Sequence, residues 1–76
     1  MEKHFDKYKT LGLNVAYYRK ERGLSQDKLA DKLFISRNHL SRIESPNAPK
    51  LFSLDVIFEI ADVLEIDVAK LFEKRV

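Results

Sequence analysis

The chain has 76 residues, 45% of them hydrophobic and 34% charged, with 14 Lys and Arg against 12 Asp and Glu, 2 Gly, 2 Pro and neither Cys nor Trp. A domain of this size hides only about 60% of the surface its unfolded chain exposes, which leaves little room for an enclosed substrate cavity and argues against an enzyme. The apolar content is too high for a disordered tail, and the lack of Cys removes disulfides and thiolate metal sites, so a single domain over residues 1–76 must be held by helix packing or by association.

Phe5, Tyr8, Leu11, Val15, Tyr18 and Arg22 recur at steps of three and four, the spacing that places side chains on one face of a helix. They predict a first helix over about residues 5–22. Gly23 follows, where a residue without a Cβ ends a helix most cheaply in the left-handed conformation, and Leu24 re-enters the core. Ser25 has the hydroxyl of an N-cap and opens a second helix whose buried stripe is Leu29, Ala30 and Leu33. Phe34 and Ile35 make a short connection. Ser36 is a second N-cap and opens a third helix, SRNHLSRIE, in which Leu40 and Ile43 face inward while Arg37, Asn38, Ser41 and Arg42 point elsewhere. Pro46 and Pro49 cannot continue it, so a loop runs over about 45–52. Ser53 caps a fourth helix with Leu54, Ile57, Ile60, Ala61 and Leu64 in step, and Asp67 caps a short last one with Val68, Leu71 and Phe72. No period-2 alternation, hairpin turn or internal repeat interrupts this pattern. The expected fold is all-α.

Charge divides unevenly along the chain. Residues 1–50 hold eleven Lys and Arg against six Asp and Glu, a net +5, whereas residues 51–76 hold three against six, a net −3. The first part is suited to a polyanion. Helices 2 and 3, short and joined by a tight turn, have the length and polarity of a helix-turn-helix. From Ser36 to Ile43 the second of them carries two Arg, an Asn and a His and no acid, which suits a DNA groove. Arg can fork onto guanine O6 and N7 and Asn can pair bidentately with adenine, each good pair giving about 1–3 kcal/mol of base discrimination; the positive end of a helix also favours phosphate.

The segments LGLNVAYYRKERGLSQDKLADKLFISRNHLSRIE and FSLDVIFEIADVLEIDVAKLF resemble the lambda-repressor-like helix-turn-helix domains, the Cro and phage-repressor type of the xenobiotic-response-element family, over about residues 11–72. The resemblance implies a compact five-helix bundle that binds DNA. It implies that Gln26 hydrogen-bonds a phosphate and braces the recognition helix, that Arg37 and Asn38 are the first base-reading residues, and that Arg42, one turn on, meets a base or phosphate. Ser36 and Ser41 can reach phosphate or sugar oxygens. His39 reads as a surface or rim residue, with base or phosphate contact as the sharper alternative. Arg19 and Glu44 match a partly buried ion pair tying helix 1 to the end of helix 3, a structural role. Phe34 stands where the family often has Gly, so either the turn geometry differs or Phe34 is left-handed at about 1 kcal/mol. Lys28 occupies the place of a frequent Glu, so the reciprocal capping box is absent, and the loop after helix 3 supplies only Lys50 as a cation.

The expected function is a stand-alone, sequence-specific double-stranded DNA-binding regulator of transcription, a repressor by promoter occupancy, with activation through polymerase left open. Val56, Phe58, Val63 and Val76 make the last third richer in apolar residues than a small bundle needs, which points to a homodimer through helices 4 and 5 or to completion of the core. Two recognition helices about 34 Å apart would read a pseudo-palindromic operator. The rival class is a protein-interaction module, such as an antitoxin-like or accessory subunit, for which an acid-free helix 3 has no use. No cofactor, small-molecule ligand or metal is expected, since His4 and His39 form no ligand pair. No stretch resembles a secretion signal or a membrane span, so the cytoplasm is the expected setting.

Overall fold

A computed structural model describes residues 3–47 and 53–75, and five α-helices make up its regular structure: α1 (Phe5–Glu21), α2 (Gln26–Leu33), α3 (Arg37–Glu44), α4 (Leu54–Leu64) and α5 (Ala69–Phe72). Local chemistry sets most of the boundaries. Leu24 N–H donates to Arg19 O (3.1 Å) and Gly23 N–H to Lys20 O (2.9 Å) while Gly23 sits at φ 69°, so α1 closes in a Schellman motif. Ser25 Oγ accepts from Lys28 N–H (3.1 Å), Ser36 Oγ from His39 N–H (3.0 Å) and Ser53 Oγ from Val56 N–H (3.4 Å), which starts α2, α3 and α4. Asp67, expected to cap the last helix, stands one residue ahead of its N-cap Val68 and accepts from Ala69 N–H at 2.9 Å through Oδ1.

The turn between α2 and α3 keeps its geometry although no glycine is present. Phe34 adopts φ 58°, ψ 38°, and Ile35 N–H reaches back to Ala30 O at 3.1 Å. Its ring is 96% exposed, so the strain is offset by no packing of its own side chain. Glu65 takes the same left-handed conformation at the end of α4. There Arg22, just past the end of α1, supplies the support: its Nε donates to Leu64 O (2.6 Å) and its Nη2 to Glu65 O (3.0 Å).

The inward stripes of all five helices meet in one core. Leu11, Val15, Leu29, Leu40, Ile43, Ile57, Ile60, Leu64 and Leu71 are buried in it, with Tyr18, Leu24, Ile35, Val56, Val63, Ile66 and Val68 packed around the edge. Val56 and Val63 therefore complete the core, as the plainer of the two sequence readings had them, while Leu54 and Phe58 are 64% and 48% exposed. α1 packs on α3 and α5, and α2 on α3 and α4. Asn14, polar and only 2% exposed, fastens the end of the chain. Its Nδ2 donates to Leu71 O (2.9 Å) and Glu73 O (2.7 Å), and its Oδ1 accepts from Arg75 Nε (3.1 Å). The Arg75 guanidinium lies 3.3 Å above the Tyr17 ring, a cation–π contact. Among the described residues every buried side-chain nitrogen and oxygen has a partner. Ala48 to Phe52, Lys50 included, and Val76 lie outside the described residues.

Candidate nucleic-acid interface

Ser36 turns the chain into α3 by meeting the backbone N–H of His39, and the inner face of the helix is then fixed by buried Leu40 and Ile43. With that face committed, Arg37, Asn38, Ser41 and Arg42 fall on the outward side, where i, i+3 and i, i+4 neighbours share a face. Arg37, Asn38 and Arg42 are exposed, and His39 and Ser41 are half-buried. The structure thus gathers the two Arg, the Asn and the two Ser at the start and along the outer face of a single helix. His39 sits at the rim of that face.

Glu44, the last residue of α3, is buried and holds three donors. Arg19 Nε meets its Oε2 at 2.7 Å, Arg19 Nη2 its Oε1 at 3.1 Å, and Gln26 Nε2 its Oε1 at 2.9 Å. Arg19 Nη1 donates in addition to Leu24 O at 2.8 Å. The Arg19–Glu44 pair therefore joins α1, the turn before α2, the first residue of α2 and the end of α3. A buried charge pair of this kind needs its remaining hydrogen-bonding capacity filled, and Gln26 and Leu24 O fill it. The brace from Gln26 runs to the far end of α3, away from the Arg37 and Asn38 turn.

At the near end a different acid intervenes. Asp27 Oδ1 lies 3.5 Å from Arg37 Nε, with both side chains exposed. The sequence shows α3 itself as free of acids up to Ile43, but its first arginine faces a carboxylate from α2. Spacing could not reveal this, because residues ten apart on separate helices are brought together only by the turn at Phe34. Gly12 is a second position that the pattern of apolar residues hides. A Cβ there would stand 2.5 Å from Ile43 O, so the backbones of α1 and α3 run nearly in contact, and α3 is seated against α1 as closely as a missing side chain allows. Among the described residues no group of three or more His, Cys, Asp and Glu is placed to hold a metal ion, and no helix is long and apolar enough to cross a membrane.

A family model described as helix-turn-helix matches residues 15–71, well over half of the chain. Among solved structures, the restriction-modification controller protein C.AhdI from Aeromonas hydrophila is similar at a TM-score of 0.82 and 27% identity, over 93% of this chain and 100% of that one. SinR, the master regulator for biofilm formation in complex with DNA, is 32% identical with a TM-score of 0.74, over 83% of this chain and 98% of its own. The N-terminal DNA binding domain of SinR from Bacillus subtilis gives 30% identity and a TM-score of 0.76, over 88% of this chain and 96% of that one. No curated protein matches the sequence.

Proposed function

The chain belongs to the helix-turn-helix family of DNA-binding transcription regulators, which are not enzymes, and from that premise we propose that it reads a specific operator in double-stranded DNA as a homodimeric repressor. The observation that carries this reading is the first turn of α3. Arg37 and Asn38 stand exposed at the positive end of a helix whose opposite face is locked by Leu40 and Ile43, so a groove-reading edge is presented by a rigid element. Arg37 reads guanine, Asn38 adenine, and Arg42 a base or phosphate one turn on. Ser36, Ser41 and Gln26 meet the sugar-phosphate backbone, and His39 contacts it from the rim. That SinR is seen with DNA supports the choice of partner.

The homodimer forms through α4 and α5. Leu54, Phe58 and Phe72 are large, apolar and exposed there, which supports an interface on that side. Recognition helices held about 34 Å apart in such a dimer would meet the major groove one turn of DNA apart. Occupying a pseudo-palindromic operator in the cytoplasm and blocking access to a promoter is the simplest action open to it.

Selection of purified protein against a random double-stranded DNA library, followed by sequencing, tests this directly. Enrichment of a pseudo-palindrome with half-sites one helical turn apart is the expected result. A folded protein that enriches no sequence overturns it and turns attention to a protein-interaction module.

A further inference from the structure

The Asp27–Arg37 pair bears on how the proposed base reading acquires its preference, and the following inference rests on that reading. Asp27 lies in the first turn of α2, where the helix dipole favours a negative side chain. It does not cap the helix, because Ser25 Oγ already takes the Lys28 N–H. Its neighbour Gln26 is tied to Glu44 at the end of α3. The first turn of α2 therefore touches both ends of α3, through Gln26 at one and Asp27 at the other.

The chemistry of the pair lies in which arginine nitrogen it engages. The closest approach is made by Nε of Arg37, at 3.5 Å from Asp27 Oδ1. Nη1 and Nη2 form the edge that can fork onto guanine O6 and N7. A carboxylate beside Nε also repels phosphate oxygens, so it turns the guanidinium away from the DNA backbone. We propose that Asp27 is a positioning residue for DNA specificity: it holds Arg37 by its Nε side and directs its terminal nitrogens to a guanine in the major groove. The acid lowers general attraction to DNA and raises discrimination, since the same arginine released from Asp27 would settle on whichever phosphate it met first.

Five proteins carried through the same random-library selection test this: the unmodified chain, Arg37→Ala, Asp27→Asn, Asp27→Glu and Asp31→Asn. Asp31 is an exposed acid one turn further along α2, so its substitution removes the same charge and serves as the control. The expected result is a guanine preference in the unmodified chain that disappears in Arg37→Ala. In Asp27→Asn it falls about tenfold, the discrimination of one good base contact, with equal or tighter binding to random DNA. Asp31→Asn keeps the preference, and Asp27→Glu, which restores the charge, recovers it at least in part. Thermal melts show that each variant is folded. An unchanged guanine preference in Asp27→Asn overturns the proposal, as does an equal loss in Asp31→Asn, which would make net charge the cause. A consensus in which Arg37→Ala alters no guanine position also overturns it and leaves DNA reading intact. If the unmodified chain enriches nothing, DNA reading itself fails and the proposal falls with it.

Discussion

Gly12 and Ile43 meet across the α1–α3 interface so closely that a methyl group on the glycine would stand 2.5 Å from the Ile43 carbonyl oxygen. Because the obstacle is backbone, it can give way only if a helix moves. Gly12→Ala gains helix propensity, worth about 1 kcal/mol, but overpacking against a fixed neighbour costs about 1–3 kcal/mol. The expected net effect is destabilisation, read as a lower urea midpoint. A midpoint at or above that of the unmodified chain would show that α1 and α3 separate easily.

The buried Arg19–Glu44 pair supports a prediction of larger size. Removing one partner leaves the other charge without compensation, so Arg19→Ala or Glu44→Ala should each cost about 3–5 kcal/mol in urea unfolding. Replacing both with apolar residues of similar volume should cost less than the two single losses combined. Additive losses would mean that the pair is not coupled in the fold.

Phe34 is left-handed and almost wholly exposed, so exchanging its side chain loses little burial. Phe34→Gly should raise stability by about 1 kcal/mol, the cost of a left-handed side chain. Phe34→Ala keeps a Cβ at positive φ and should gain nothing. Equal melting temperatures for the two variants would place the strain elsewhere.

Asn14 bonds two carbonyls and a guanidinium around the end of α5. In Asn14→Ala the Leu71 and Glu73 carbonyls lose this donor, at a cost of about 1–3 kcal/mol. Amide exchange at Lys70 to Glu73 should quicken more than in α2 or α3. Uniform quickening across the helices would instead mark a global loss of stability.

DNA affinity should fall linearly on a double-logarithmic plot against salt, as counterions are released. A phosphate-contacting arginine contributes about 1 to that slope, so Arg42→Ala should make it shallower by about that amount if Arg42 meets phosphate. Asn38→Ala should leave the slope alone and relax base preference. Unchanged preference in both Arg37→Ala and Asn38→Ala would remove the first turn of α3 from base reading.

The sequence by itself determined the helices and their caps. Ser25, Ser36, Ser53 and Asp67 act on amides two or three residues away, Gly23 needs only its own missing Cβ, and the three- and four-residue steps place Leu29, Leu40 and Ile57 inward through helix geometry alone. It also singled out Arg37, Asn38 and Arg42, since committing Leu40 and Ile43 to the core leaves those residues nowhere but outside. Tertiary structure decided the rest. Leu54 keeps the apolar step of α4 yet stays 64% exposed, while Ile57 in the same turn is buried. The left-handed Glu65 is steadied by Arg22, the buried amide of Asn14 bonds the chain end, and Arg37 meets Asp27. Each joins residues ten to about sixty positions apart, a separation that carries no helical period. Local chemistry fixes where a helix begins and which face is apolar; the angle at which two helices cross, and so which polar groups meet, is set only when their side chains pack together.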